Sequence, residues 1–133
     1  MIGSYKLTLA ASEGGFVSLG CIIKDPTSNI FLAASKRFPS VTNPANAELL
    51  AIRWAFLLAK ELNLKSFVFQ SDAQVVVDCI NDFVFIADLD SVVADCKLLM
   101  KDFDSVTLMF INRLCNLDAH HMVGIGKSFG FRT

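Results

Sequence analysis

The order of the apolar runs along the chain constrains the fold more than any other feature of the sequence. Three short runs rich in β-branched and aromatic residues, 5–11, 16–24 and 30–37, follow one another closely. The residues between them, "SEGG" and "DPTSN", are typical of tight turns. Three strands joined so closely predict an antiparallel meander.

The rest of the chain alternates helical and strand patterns. Apolar residues recur at helical spacing from Leu49 to Leu62, behind a capping Thr42 or Asn43 and a Pro44 suited to a first turn. Because the later strands are reached through helices, the order predicts an α/β domain with a mixed sheet and helices on both faces. The further predicted elements are a strand at 66–70, helices at 72–82 and 88–103, a strand at 105–112 and a helix from about residue 116.

Length and charge limit the classes of protein to which the chain can belong. A chain of 133 residues that is 53% hydrophobic predicts one domain over residues 1–133. The net charge of -1 gives no broad field for nucleic acid or an anionic membrane, so basic contacts must be local. We expect an intracellular protein of the nucleus or cytoplasm with no membrane association, because no run resembles a signal peptide or a membrane span.

The cysteine and phenylalanine contents add two expectations. The four cysteines are far apart with no C-x-x-C pair, which argues against a zinc site or a disulfide framework. Twelve phenylalanines indicate either a rich core or an apolar surface that meets a protein partner or a second copy.

Four motifs resemble those of ribonuclease H-like domains, most closely the plant type found in retrotransposon-derived reverse-transcriptase-like proteins. The pattern [ES]-[ST]-D at the end of a strand matches Ser71 and Asp72, and "YKLTLAAS" with "LGCIIKD" resembles the first hairpin. The helix pattern A-E-x-x-A-[IL]-x-x-[AG]-[LF]-x-x-A is matched by Ala47, Glu48, Ala51, Ile52, Ala55, Phe56 and Ala59. The closing motif is matched by Arg113, Asn116, Ala119, His120, Met122 and Val123.

The resemblance implies a five-stranded mixed sheet in the order 3-2-1-4-5 and a site in which four carboxylates hold two Mg²⁺ ions for hydrolysis of RNA paired with DNA. Glu48 and Asp72 fall on two of these positions and are the implied metal ligands. The first-strand aspartate falls on Ala10 and the closing acidic position on His120. The resemblance thus implies a vestigial catalytic cluster of Glu48, Asp72 and His120, with Mg²⁺ or Mn²⁺ needed only if the domain is active.

The polar residues before the helix glutamate are candidate contacts to nucleic acid. Thr42, Asn43 and Asn46 can hydrogen-bond to sugar or phosphate of an RNA–DNA hybrid or another nucleic acid. The cations Lys36, Arg37, Lys60, Lys65, Lys97 and Lys101 are spread along the chain and are equally explained by a solvated surface.

Each candidate also has a plain structural explanation. Glu48 suits the positive end of a helix dipole, Asp72 suits a helix cap, and Arg113 with Asn116 can tie the last strand to the last helix. Two hypotheses stay open, since two of the four metal-binding carboxylates are missing. One is a degenerate ribonuclease H-like domain that acts by binding nucleic acid or protein, and the other is an active metal-dependent RNA–DNA hybrid endoribonuclease.

Overall fold

The computed structural model describes residues 5–14, 16–39 and 44–116, and five strands of this part form one sheet in the order β3-β2-β1-β4-β5. The predicted strand order is therefore confirmed. Short 3₁₀ turns span Ala87–Leu89 and Arg113–Asn116. The strands and helices are β1 (Tyr5–Gly14), β2 (Phe16–Lys24), β3 (Ile30–Pro39), α1 (Pro44–Glu61), β4 (Ser66–Ser71), α2 (Gln74–Ile80), α3 (Asp90–Met100) and β5 (Ser105–Phe110).

Strand directions change at β1, which lies in the middle of the sheet. β1 pairs antiparallel with β2, from Lys6 opposite Lys24 to Gly14 opposite Phe16, and β2 pairs antiparallel with β3. On its other side β1 pairs parallel with β4, and β4 pairs parallel with β5. The carboxyl ends of β1, β4 and β5 therefore meet at one edge of the sheet, where residues distant in sequence can assemble a site.

The core lies between the sheet and α1. The ring of Phe56 on α1 lies 4.9 Å from that of Phe69 and 6.2 Å from those of Phe67 and Phe103. The rings of Phe67 and Phe103 meet edge to face at 4.9 Å. All four side chains are buried, and α1 also packs on β1, α2 and α3. Part of the high phenylalanine content is thus explained by an aromatic core.

Several element boundaries differ from the prediction. β1 extends to Gly14 and β3 to Pro39, because antiparallel pairing with β2 carries regular structure into the predicted turns. α3 begins at Asp90 behind a 3₁₀ turn and ends at Met100, and turn hydrogen bonds then carry the chain to the buried Phe103. The helix predicted from about residue 116 lies outside the described residues.

Three cysteine thiols of the described part are buried and free: those of Cys21, Cys79 and Cys96. Burial raises the pKa of each thiol, that of Cys96 to about 12, so they are neutral apolar groups of the core. Among residues 5–14, 16–39 and 44–116, no helix has both the length and the apolar character that crossing a bilayer requires.

Candidate acidic site at the ends of β1 and β4

Asp72 directly follows the last residue of β4, at the edge of the sheet where the parallel strands end. The pairing of β1 with β4 sets Leu9 opposite Ser71 as its last matched pair. Ala10 and Asp72 are the residues that directly follow this last pair on the two chains. The backbone of the central strand therefore brings Ala10 to the same edge of the sheet as the strand-end aspartate.

Glu48 reaches the same edge from α1. The helix begins at Pro44 and has no acidic residue in its first turn, so Glu48 lies beyond the strongest part of the helix dipole. Its neighbours Ala47 and Leu49 are buried, and Glu48 itself is half-buried. Attraction to the helix dipole is therefore not a sufficient explanation for this glutamate.

The pKa of Glu48 reports what surrounds its carboxyl group. Burial, followed by the negative charge of Asp72, raises that pKa from the ordinary 4.5 to about 7, while the positive charge of Arg113 acts in the opposite direction. The three side chains therefore lie within electrostatic reach of one another. The raised pKa favours the protonated, neutral form of Glu48 at a higher pH than for an ordinary glutamate.

Hydrogen bonds around Ser71 fix the end of β4. Ser71 is fully buried, and its Oγ accepts a hydrogen bond of 3.1 Å from the backbone N–H of Ala73. Ala73, not Asp72, is the cap residue of α2, and the side chain of Ala73 makes no capping hydrogen bond. The interpretation of Asp72 as a helix cap is therefore wrong, because the helix begins two residues later than expected.

The end of β5 is tied to the same edge, and this explains how Arg113 reaches Glu48. The backbone N–H of Ile111 donates a hydrogen bond of 2.9 Å to the carbonyl oxygen of Ser71. The 3₁₀ turn Arg113–Asn116 that follows lies against β1. The sequence had suggested only a structural role for Arg113, and its place in the closing motif was the one signal of a place at the site.

The structure describes some of the predicted site residues and not others. Glu48 and Asp72 come together beside the position of Ala10. Asn46 is half-buried in the first turn of α1, two residues before Glu48. Thr42, Asn43 and His120 lie outside the described residues.

Two of the dispersed lysines are engaged in ion pairs away from this edge. Lys60 Nζ lies 2.9 Å from a carboxylate oxygen of Asp102, and Lys97 pairs with Asp82. Their charges are partly balanced within the domain, so they add little to a basic surface.

The fold is similar to that of ribonucleases H. Ribonuclease H1 of the halophilic archaeon Halobacterium salinarum matches 90% of this chain over 94% of its own, with a TM-score of 0.83 at 18% identity. The N-terminal ribonuclease H domain of a Mycobacterium tuberculosis protein, solved as a fusion with maltose-binding protein, matches 94% of this chain over 95% of its own, with a TM-score of 0.76 at 17% identity. LC11 ribonuclease H1, isolated from compost and solved in complex with an RNA/DNA hybrid, matches 92% of this chain over 95% of its own, with a TM-score of 0.72 at 15% identity.

These structures show that the domain has a ribonuclease H-like fold. The chain belongs to the reverse transcriptase-like family, whose model matches residues 10–124. The resemblance inferred from the motifs is therefore confirmed. A comparison with curated protein sequences finds no match.

The described part of the site does not fit the pair of divalent ions implied by the resemblance. Within residues 5–14, 16–39 and 44–116, no three His, Cys, Asp or Glu side chains are grouped so that they could hold a metal ion. The donor set at the edge is two carboxylates, and the guanidinium of Arg113 adds a positive charge beside them. Two hard cations need more oxygen ligands and more negative charge than this.

Proposed function

We propose that this domain binds an RNA–DNA hybrid at the edge where β1, β4 and α1 meet, and does not cleave it. The observation that carries the proposal is the register of β1 with β4, whose last matched pair, Leu9 and Ser71, directly precedes Ala10 and Asp72. An alanine has no oxygen with which to bridge two metal ions. Without this bridging ligand, a metal pair would stabilise the transition state of hydrolysis less well. Contacts to the nucleic-acid backbone do not require a metal pair.

The charges at the edge favour metal-independent binding. A cluster of four carboxylates repels phosphate unless cations neutralise it. Here burial and the negative charge of Asp72 raise the pKa of Glu48, which favours its neutral form, and Arg113 contributes a positive charge. The site is therefore less negative than a cluster of four carboxylates, which lowers the repulsion of a phosphodiester in the absence of a bridging metal ion.

The choice of an RNA–DNA hybrid as ligand rests on the fold and on the polar residues that enter α1. A structure of similar fold, LC11 ribonuclease H1, was solved in complex with an RNA/DNA hybrid. Asn46 lies one helical turn or less from Glu48, and Thr42 and Asn43 precede it in the sequence. Amide and hydroxyl groups of this kind hydrogen-bond to sugar and phosphate oxygens and set the position of a duplex.

The test is hybrid binding, measured by the fluorescence anisotropy of a short labelled RNA–DNA duplex. Binding should be equally tight in EDTA and in excess Mg²⁺. Arg113→Ala should weaken binding by about threefold to tenfold. The slope of log affinity against log salt concentration should also become shallower by about one, as expected for the loss of one phosphate contact. Arg53→Ala is the matched control, since Arg53 is exposed on the same helix as Glu48 but its charge acts on Cys96 of α3.

Two outcomes would oppose the proposal. Hybrid binding that requires Mg²⁺ would indicate that the carboxylates still act as metal ligands. An equal loss of affinity in Arg113→Ala and Arg53→Ala would indicate diffuse attraction to the protein surface and no defined site.

An active metal-dependent RNA–DNA hybrid ribonuclease is the second candidate function. The observation in its favour is that the charge of Asp72 acts on the carboxyl group of Glu48, so the two carboxylates are near each other, as two ligands of one hard cation would be. This function requires Mg²⁺ or Mn²⁺ and further ligands, among which His120 is the residue implied by the resemblance.

A further inference from the structure

The segment that follows α2 displays large apolar side chains to solvent. Phe83, Val84 and Phe85, which we term the FVF loop, are 77%, 44% and 74% exposed. Consecutive exposed side chains of this size are uncommon on a monomer and usually mark a surface that binds something. The loop is separated from Asp72 by α2, whose seven residues span about 10 Å.

Local backbone structure does not account for the exposure of Phe83. α2 ends in a Schellman motif: Asp82 has a positive φ of 67°, its N–H donates to the carbonyl of Cys79, and the N–H of Phe83 donates to the carbonyl of Asp78. In this motif the residue at the position of Phe83 often packs back on the last turn of the helix, where Val77 is buried. The ring of Phe83 remains in solvent instead.

Both ends of the FVF loop are held by the domain. The side-chain amide of Asn81 donates a hydrogen bond of 3.0 Å to the carbonyl of Leu108 in β5, and Lys97 of α3 pairs with Asp82. Leu89, after the loop, is buried. The phenyl rings are therefore presented from a fixed backbone, which lowers the entropy that a partner would have to overcome.

A cavity of about 330 Å³ opens between the FVF loop, the end of α2 and the side chains of Asp90, Val93 and Lys97 on α3. Lys97 pairs with Asp82 in its lining, so Asp90 gives the lining a net negative charge. Asp88, exposed in the adjoining 3₁₀ turn, adds to this charge. The surface therefore combines an apolar opening with an acidic rim.

We propose that the FVF loop and its cavity dock a cationic, apolar peptide segment of a partner protein. A large apolar side chain of the segment enters the cavity between the exposed rings, and flanking Lys or Arg residues lie against Asp88 and Asp90. Charge complementarity selects this occupant, because the same carboxylates repel the phosphates of a nucleic acid. The proposal is independent of the hybrid site at the ends of β1 and β4.

The test is a selection from a library of random displayed peptides for those that bind the intact domain. Enriched peptides should carry a large apolar residue flanked by Lys or Arg, and their affinity should fall as salt is raised. The double variant Phe83→Ser with Phe85→Ser should bind a selected synthetic peptide at least about tenfold more weakly. Asp88→Asn with Asp90→Asn should weaken binding by about threefold, with a smaller salt dependence.

The matched control is Ile30→Ser, which removes a 61% exposed apolar side chain from the edge strand β3. It should leave peptide affinity unchanged. Melting temperatures of all variants verify that they are folded.

Equal binding by the wild type and the Phe83/Phe85 variant, or enrichment of acidic peptides, would overturn the proposal. Dimerisation of the wild type that this variant abolishes would assign the surface to a second copy, and loss of hybrid binding in the variant would assign it to nucleic acid.

Discussion

The half-buried carboxyl group of Glu48 couples the stability of the domain to pH. Its pKa is about 7 in the folded protein and near the ordinary 4.5 in the unfolded chain. Below the lower value the group is protonated in both states, so it has no effect on the pH dependence. Between the two values the folded protein retains a proton that the unfolded chain has lost, so stability falls as pH rises through this window and then levels off.

Replacing Glu48 by glutamine should remove this effect. Glu48→Gln should be more stable than the wild type by about 2 kcal/mol near pH 8, less than the full shift implies because part of the side chain is in water. The difference should vanish near pH 4. Urea denaturation at the two pH values measures it. If the stability difference between the variant and the wild type were the same at both pH values, ionisation of Glu48 would not destabilise the folded state.

The effect of the missing carboxylate at position 10 on metal binding can be tested with a single substitution. Ala10→Asp places an acid beside Asp72 and should raise Mg²⁺ affinity by about tenfold or more, as measured by isothermal titration calorimetry. The gain should be lost when Asp72→Asn is added. Turnover should not follow from this change alone, because His120 remains where the resemblance implies an acid. Unchanged Mg²⁺ affinity would mean that the β1–β4 register does not continue to this pair.

At the scale of the elements, short-range sequence patterns predicted which segments form helices and strands. Long-range contacts set the residues at which each element begins and ends. The residues 66–70 were predicted as a strand, and β4 buries Phe67 and Phe69 against the helical layer. α2 starts later than its apolar pattern indicated, because the Ser71 hydroxyl binds the N–H of Ala73 and holds the turn open. That contact depends on the buried position of Ser71, which local sequence does not reveal.

Phe56 joins the longest helix to the sheet, and its loss should be costly. Phe56→Ala removes a fully buried ring that meets Phe67, Phe69 and Phe103, and should lower the free energy of unfolding by about 3 to 5 kcal/mol. Leu57→Ala on the same helix, at a half-exposed position, should cost less than about 1 kcal/mol. Chemical denaturation of the two variants gives the comparison, and similar losses would contradict the described aromatic core.

At the scale of the whole molecule, motif spacing predicted part of the site and geometry supplied the rest. The resemblance pointed to Glu48, Asp72 and Ala10 because each lies in a pattern with fixed spacing. Arg113 lies in the closing motif, but its effect on Glu48 depends on how the end of β5 is tied to Ser71, which motif spacing does not reveal. The exposure of the FVF loop was also not predicted, because a run of apolar residues between two helices is expected to belong to the core unless its burial is known.

The proposed function requires that the edge formed by β1, β4 and α1 binds an RNA–DNA hybrid without cleaving it. The most direct measurement follows a labelled RNA–DNA hybrid incubated with the unmodified domain in Mg²⁺ and, separately, in Mn²⁺, at protein concentrations that saturate binding. We predict that the hybrid stays bound and intact with either ion, with Asp72→Asn behaving like the wild type. Metal-dependent cleavage by the wild type that Asp72→Asn abolishes would contradict the account and identify the domain as a nuclease.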